Sequence, residues 1–181
     1  MGRAYDMALE IARLIPVNSR VLDVGCGSGF IAHHLSGVAG AQVIGIDLDA
    51  TAEAPIPYRQ FNGQHFPVAD RSLDAVLLCY VLHHAQDLAM VMQELRRVLT
   101  PGGLVVIYED IPAAVWDKCV CWIHHMKWRS RTGPCRFRRP AAWYSLFNSE
   151  GFEVVSERPL SRWRNLSHPV RRRLFVLRMQ H

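Results

Sequence analysis

The sequence predicts a doubly wound α/β fold, in which helices cover both faces of a mostly parallel β-sheet. Short apolar runs bounded by turn residues alternate with segments of helical periodicity, which is the pattern of successive βαβ units. The chain has 181 residues and 50% of them are hydrophobic, enough for one substantial core. We therefore expect a single domain over residues 1–181.

Four strands are predicted from short, largely apolar runs. Runs of this kind are typical of strands that are buried on both faces of a parallel sheet. They lie at residues 21–24, 42–46, 73–79 and 104–108. Helices are predicted at residues 6–14, which Pro16 ends, at residues 30–35 and at about residues 87–99, with a turn at residues 101–103.

The C-terminal part has a different arrangement of elements. The segment of residues 129–140 is basic and is interrupted by Gly133 and Pro134. The predicted elements around it are helices at residues 113–128 and 141–149 and strands at residues 152–157 and 174–177. Because no repeat, low-complexity tract or linker separates this part from the first, we expect it to pack on the same sheet.

The two parts also differ in charge. Residues 1–110 contain 7 Arg or Lys against 12 Asp or Glu, whereas residues 111–181 contain 14 against 4 and all five tryptophans. Cations mixed with amphipathic aromatics are typical of surfaces that meet anions, lipids or nucleic acid. A solvated basic face with tryptophans in the core has the same composition.

The cysteines indicate the cellular compartment, and the hydropathy indicates whether the chain spans a membrane. Five cysteines, an odd number, without a secretory signal, favour reduced thiols and a cytoplasmic protein. No run approaches the roughly 18 to 20 apolar residues of a membrane-spanning helix, so we expect no transmembrane segment. The basic part leaves peripheral membrane contact open, and the sequence indicates no oligomeric state.

The most informative segment is residues 21–30, a strand that leads through a glycine-rich turn into a helix. Gly25, Gly27 and Gly29 let the backbone bend and approach a ligand, and the helix start offers free N–H groups. A dinucleotide site has the same outline, but Phe30 occupies a place where such a loop needs a small residue. Asp23 would also repel a pyrophosphate and favour a ligand with positive charge.

The second strand is followed by an acidic residue, Asp47. A carboxylate at this place, roughly 20 residues beyond the glycine loop, can hold both hydroxyls of a ribose. Asp47 is therefore the predicted ribose ligand. Asp49 lies nearby and is the competing candidate for this role, but an aspartate at its position is equally typical of a helix N-cap.

Several segments together resemble class I, Rossmann-like, S-adenosylmethionine-dependent methyltransferases. They follow one another in the order of the family's motifs and cover roughly residues 21–110. The segments are Asp23 with the three glycines, Gly45-Ile-Asp47, the Phe66-Pro-Val-Ala-Asp70-Arg-Ser-Leu-Asp74 stretch, Val81-Leu-His-His84 and Leu99-Thr-Pro-Gly-Gly103. The ammonium and sulfonium of S-adenosyl-L-methionine also suit the carboxylate of Asp23.

The resemblance implies a seven-stranded sheet whose last strand, at about residues 173–178, is antiparallel. It implies that Asn62, Gly63 and Gln64 line the adenine, and we add three neighbouring residues to the cofactor contacts: Cys26, Leu48 and Tyr80. Family members commonly have Asp at the position of Asn62, whose amide is a weaker, uncharged partner. Pro55 and Pro57 shorten the helix expected after Asp47.

The resemblance divides the domain into a cofactor half, about residues 17–110, and an acceptor-covering part, about residues 111–181. Methyl transfer by direct displacement depends mainly on alignment, so a catalytic base is optional. The candidates for a base are His84, near the carboxyl end of the third predicted strand, and then His83 and Tyr80. A loop histidine that positions backbone or caps the next helix is the alternative.

Cysteines and histidines cluster in the predicted helix at residues 113–128 and in the basic segment that follows it. The set comprises Cys119, Cys121, His124, His125 and Cys135. Residues two apart on a helix point in different directions, and no second Cys-x-x-Cys pair completes a zinc site. We therefore expect no metal ligands in this set.

The leading hypothesis for function is methyl transfer to a small, partly apolar acceptor that is quinone-like, lipid-like or a natural product. An RNA or DNA methyltransferase is the first alternative, because basic and aromatic residues interleave in residues 127–139 and 171–173. However, Cys79 is followed by Tyr80-Val-Leu rather than by the Asn-Pro-Pro-Tyr turn of amino-group nucleic-acid enzymes. The second alternative is a non-catalytic module that senses the cofactor or adheres to anionic membrane.

Overall fold

The computed structural model describes residues 2–180. The strands are β1 (Arg20–Val24), β2 (Gln42–Asp47), β3 (Tyr58–Gln60), β4 (Leu73–Cys79), β5 (Leu99–Asp110), β6 (Phe152–Leu160) and β7 (Arg172–Met179). The helices are α1 (Arg3–Ala12), α2 (Phe30–Ala39), α3 (Leu88–Val98), α4 (Val115–Thr132) and α5 (Pro140–Ser149), with a 3-10 turn at Arg162–Arg164.

The strands form one seven-stranded sheet in the order β3-β2-β1-β4-β5-β7-β6. β1 pairs in parallel with β2 and β4, and the pairs β2–β3 and β4–β5 are also parallel. β7 lies between β5 and β6 and is antiparallel to both. The sheet confirms the predicted doubly wound fold and its antiparallel last strand.

Successive residues of the central strands enter two cores on opposite faces of the sheet. In β1, Val21 packs with Ile11 of α1 and with residues of α2, whereas Leu22 belongs to the core that contains Leu95 of α3 and Trp143 of α5. Both faces are therefore covered by helices, as predicted. Burial on two sides explains why these strands have apolar residues without strict alternation.

The helix α4 is an exception to this packing. It has 18 residues, and of these Asp117 and Cys121 are buried. Within residues 2–180, neither core contains a side chain from α4. Among all helices within residues 2–180, none has both the length and the apolar character needed to cross a membrane.

The structure differs from the sequence-based expectations around β3 and β5. Residues 101–103 are not a chain reversal as predicted: they lie within β5, where the register with β4 is irregular between Leu73 and Ala75. β3 has no counterpart among the predicted strands. The preceding residues 48–57 contain no helix, whereas a shortened helix was expected there; Pro55 and Pro57 disfavour it. The α4 helix continues to Thr132, beyond its predicted end at residue 128.

The order of the strands defines where a ligand can bind. The chain leaves β1 toward β2 on one side, and it leaves β4 toward β5 on the other. Adjacent parallel strands whose connections diverge in this way leave a crevice at their carboxyl ends, where open α/β sheets bind ligands. The glycine loop follows β1, and the segment with His83 and His84 follows β4, so both lie at this edge.

Candidate functional site

The glycine loop turns sharply because three of its residues have left-handed backbone conformations. The φ angles of Gly25, Gly27 and Gly29 are 65°, 54° and 80°, which residues with a Cβ rarely adopt. The N–H groups of Gly25 and Cys26 donate to the carbonyl of Ile46 at 2.8 and 3.1 Å. The loop is thus fastened to the end of β2 before α2 begins.

Two of these glycines face different surroundings. A Cβ on Gly25 would lie 2.5 Å from a methyl group of Val81, so the loop touches the segment that follows β4. A Cβ on Gly27 would have no atom of the described residues within 4 Å. The space beside Gly27 is therefore open to a ligand.

The carboxylate of Asp47 joins the glycine loop to β2. One oxygen accepts from the N–H of Gly27 at 2.7 Å, and the other accepts from the N–H of Leu48, also at 2.7 Å. A carboxylate has about four acceptor positions, so each oxygen retains one for a ligand. The structure therefore places the predicted ribose ligand beside the loop.

Asp23 is buried beneath the same loop, with a relative exposure of 1%. Neither carboxylate oxygen has a hydrogen-bond partner among the described residues. Burial, with a further contribution from the charge of Asp47, raises the pKa of Asp23 to about 7. A buried carboxylate without partners is costly, and a cationic ligand would relieve that cost.

The predicted adenine contacts lie in an exposed loop after β3. The side-chain oxygen of Asn62 accepts from the N–H groups of Gln64 and His65 at 3.0 and 3.3 Å. That oxygen is therefore used within the loop, and the NH2 group of Asn62 is the donor left for a base. Leu48 lies 3.4 Å from the place of a Cβ on Gly63, so these two residues are neighbours.

The remaining predicted cofactor contacts are Cys26 and Tyr80. The sulfur of Cys26 lies over Gly45 of β2, 2.7 Å from the place of a Cβ there, which makes Cys26 part of the support for the loop. Tyr80 has a left-handed φ of 64°, and the Arg172 guanidinium lies 5.4 Å from the centre of its ring. Burial raises the pKa of the Tyr80 hydroxyl, so this group stays protonated and is a hydrogen-bond donor rather than a base.

His83 is buried, with a relative exposure of 1%. Its Nδ1 is 2.8 Å from a carboxylate oxygen of Glu109, whose other oxygen accepts from the N–H of Leu82, also at 2.8 Å. Burial alone would lower the pKa of His83, but the charge and the hydrogen bond of Glu109 outweigh it, so the pKa is raised. The Nε2 of His83 has no hydrogen-bond partner in the described part of the chain.

His84 is half-buried and contacts α4. Its Nδ1 lies 2.9 Å from the hydroxyl of Thr132 and 3.5 Å from the sulfur of Cys135, and its Nε2 lies 3.1 Å from Nε2 of His124. Burial, followed by the nearby charges of His83 and His124, lowers the pKa of His84 to about 3. His84 is therefore neutral at pH 7 and a weak base.

Residues 22–107 match the family model described as "Methyltransferase domain". These residues form a methyltransferase domain of the class I S-adenosylmethionine-dependent type. This confirms the predicted family and its cofactor, S-adenosyl-L-methionine.

Two curated relatives of this methyltransferase chain illustrate the similarity. Sterol 24-C-methyltransferase ERG6B of Gibberella zeae is 33% identical over 136 residues, which cover 64% of this chain and 36% of that protein. Demethylmenaquinone methyltransferase of Chlorobaculum parvum is 35% identical over 99 residues, which cover 51% of this chain and 41% of that protein. The chain thus spans 36 to 41% of the length of these two relatives.

Solved structures share the fold over almost the whole chain. A Haloferax volcanii protein in complex with the Trm112 methyltransferase activator has a TM-score of 0.75 and 18% identity, over 99% of this chain and 91% of that one. An S-adenosylmethionine-dependent methyltransferase of Mesorhizobium loti has a TM-score of 0.70 and 18% identity, over 97% of both chains.

The residues at the glycine loop fit the methyltransferase cofactor. The partnerless carboxylate of Asp23 complements an ammonium group, and the free acceptor positions of Asp47 suit two ribose hydroxyls. The open space beside Gly27 would accommodate the ligand between them. These features agree with each other although they come from three different positions of the chain.

Replacing Gly27 with Ala tests whether this open space holds the cofactor. We expect about a 10-fold or greater loss of affinity for S-adenosylhomocysteine, because the methyl group enters the space, and a loss of about 1 kcal/mol in the free energy of unfolding from backbone strain. Gly102→Ala is the matched control, since Gly102 has a φ of 79° and equally open surroundings within β5. Equal affinities of the two variants in calorimetry would contradict the assignment.

Several residues around the methyltransferase site were missed by sequence reasoning. They are Glu109, Asp110, Thr132, His168 and Arg172. The acidic pair that ends β5 is the one local signal, because two carboxylates at the carboxyl end of a buried strand require partners. Among the cysteines of α4, Cys119 is exposed and Cys121 is buried, which confirms that they point in different directions.

Proposed function

We propose that the chain transfers a methyl group from S-adenosyl-L-methionine to a small, partly apolar acceptor of quinone-like, lipid-like or natural-product type. The observation that carries this proposal is the apolar surface of α4 beside the carboxyl edge of the sheet. Relatives support it, because their names describe enzymes that act on sterols, on demethylmenaquinone and in ubiquinone biosynthesis.

The outer face of α4 exposes large apolar side chains. The exposed fractions are 59% for Trp116, 63% for Trp122, 62% for Ile123 and 46% for Met126. Basic residues of the same helix lie beside them, and Lys127 and Arg131 stack on Trp128. Tryptophans interleaved with cations are typical of helices that lie on anionic lipid, where poorly soluble acceptors are found.

A surface pocket of about 570 Å³ lies at the carboxyl end of β5, and no residue of the glycine loop lines it. Its lining combines apolar residues such as Ile111 and Leu160 with the guanidinium groups of Arg162, Arg171 and Arg172. A pocket of this composition favours an acceptor that is partly apolar and carries negative charge.

The chain's own residues act mainly by positioning. When bound, the cofactor supplies a methyl group on a sulfonium, whose sulfur is a neutral leaving group. Asp23 and Asp47 would hold the donor, and alignment with an acceptor is worth roughly 7 to 11 kcal/mol of the barrier. The depressed pKa of His84 makes it a hydrogen-bonding rather than a proton-abstracting group, so acceptors that ionise easily or react at carbon suit this site.

Methylation of RNA is the second candidate function. It is favoured by the net charge of the C-terminal part and by a tRNA U34 carboxymethyltransferase of Nautilia profundicola that is 25% identical over 124 residues. The exposed apolar face of α4 favours the first candidate, because binding to the phosphate backbone requires cations rather than apolar area.

In the experiment, the chain and labelled S-adenosyl-L-methionine are incubated with quinols or sterols in anionic vesicles and, separately, with tRNA. We expect label in the vesicle-borne acceptors, detected by mass spectrometry as a gain of one methylene. Trp122→Ser should reduce this activity about 10-fold by weakening vesicle contact, whereas Val17→Ser, at an exposed position outside α4, should not. Label in tRNA alone would contradict the proposal.

A further inference from the structure

Three histidines converge at the carboxyl end of β4. His83 and His84 follow β4 directly, and His124 reaches them from α4. One ring nitrogen from each lies within 4.8 Å of the other two, and the Nε2 atoms of His84 and His124 are 3.1 Å apart. In a tetrahedral site with Zn–N bonds of about 2.0 to 2.1 Å, ligand nitrogens are about 3.3 Å apart.

His83 has the environment of a metal-ligating histidine. Its Nδ1 is held by the buried carboxylate of Glu109 at 2.8 Å, and its Nε2 is buried without any hydrogen-bond partner among residues 2–180. Histidines that bind metal typically donate the other N–H to a carboxylate, which fixes the ring and makes the free nitrogen a better ligand. The negative charge of Glu109 would also balance that of a cation.

The other two histidines face each other through their Nε2 atoms. The hydroxyl of Thr132 lies 2.9 Å from Nδ1 of His84 and so orients this ring from behind. Both rings are half-buried, so an ion can reach them from solvent.

A neighbouring group of possible ligands is less suitable. Asp110, Cys121 and His168 also lie within 4.8 Å of one another. However, Asp110 already pairs with His168 at 2.8 Å and with the guanidinium of Arg172 at 3.0 Å. The guanidinium occupies the place of a cation there, whereas no Lys or Arg side chain of residues 2–180 is hydrogen-bonded to the three histidine rings.

We propose that His83, His84 and His124 bind one divalent transition-metal ion of the zinc type, with Glu109 as the carboxylate behind His83. Three protein ligands leave the fourth position for water or for an oxygen or sulfur of another molecule. The site combines residues 40 positions apart, so the cysteine spacing that led us to expect no metal did not reveal it. Metal binding can be measured without methyl transfer, so its test does not depend on the proposed function.

The test is a titration of the chelator-treated chain with Zn²⁺ by calorimetry and with Co²⁺ by visible absorption. We expect one equivalent of metal, a rise in Tm on adding Zn²⁺, and the d–d bands of four-coordinate cobalt. His124→Ala should weaken the affinity at least 100-fold, and Glu109→Gln should weaken it about 10- to 100-fold. If Glu109→Gln does not fold, the metal affinity of His124→Ala, compared with that of its control variants, decides whether the proposal holds.

Two controls separate this site from its alternatives. His33→Ala removes an exposed histidine of α2, and His168→Ala removes a ligand of the neighbouring group; both should retain wild-type affinity. Absence of binding at micromolar Zn²⁺ would overturn the proposal. A thiolate-to-cobalt charge-transfer band, or a loss of affinity in His168→Ala equal to that in His124→Ala, would also overturn the assignment to three histidines.

Discussion

Replacing Asp47 with Ala is expected to weaken the binding of S-adenosylhomocysteine at least about 100-fold. Its carboxylate would make charge-assisted hydrogen bonds to both ribose hydroxyls, and such bonds are worth about 1.5 to 3 kcal/mol each. The same carboxylate accepts from the N–H groups of Gly27 and Leu48 at 2.7 Å, so the loop is also released. Isothermal titration calorimetry measures the loss directly.

The control for this variant is Asp49→Ala. Asp49 is exposed and pairs with Arg131 at the surface, where an ion pair contributes little. We expect less than about a twofold change in affinity. Wild-type affinity in Asp47→Ala, or an equal loss in both variants, would refute the ribose assignment.

Replacing Asp23 with Asn is expected to have opposite effects on stability and on binding. The neutral amide removes a buried carboxylate that has no hydrogen-bond partner among the described residues, so we expect Tm of the ligand-free chain to rise by roughly 5 °C at pH 8. The amide also cannot pair with the ammonium of the cofactor, so affinity should fall about 10- to 100-fold. Thermal unfolding and calorimetry on the same preparations measure both. A variant that is less stable and binds normally would contradict this role.

The raised pKa of Asp23 predicts a pH dependence for the wild-type chain. Burial raises this pKa from 3.8 to about 7, so between these values the folded state binds more protons than the unfolded state. The contribution of Asp23 to stability therefore falls as pH rises from about 4 to 7. The ammonium of the cofactor would pair with the ionised form of Asp23, so we expect the affinity to fall as pH is lowered through 7. Both trends should be absent in Asp23→Asn, and their persistence there would assign them to another group.

The features that could be predicted from the sequence are those that depend on neighbouring residues. The apolar run of β4 and the three glycines specify a buried strand and a left-handed turn through local chemistry alone. The predicted β4, residues 73–79, agrees with the structure, and Asp87 caps α3 by accepting from the N–H of Met90. The edges of the sheet were harder, since β3 has three residues and depends on pairing with β2.

The histidine cluster could not be predicted for a different reason. His84 meets His124, 40 positions away, and His83 meets Glu109, 26 positions away. Both contacts depend on how β4, β5 and α4 are placed in three dimensions, which no local pattern encodes. His83 and His84 were identified as functional candidates from their place after β4, but their partners follow only from the fold.

The most direct test of the account is calorimetry of the wild-type chain with S-adenosylhomocysteine and, separately, with a nicotinamide dinucleotide. The Asp23 carboxylate and the Asp47 acceptor positions predict saturable binding of one equivalent of S-adenosylhomocysteine and no heat from the dinucleotide. Binding of the dinucleotide without binding of S-adenosylhomocysteine would contradict the assignment of the glycine loop.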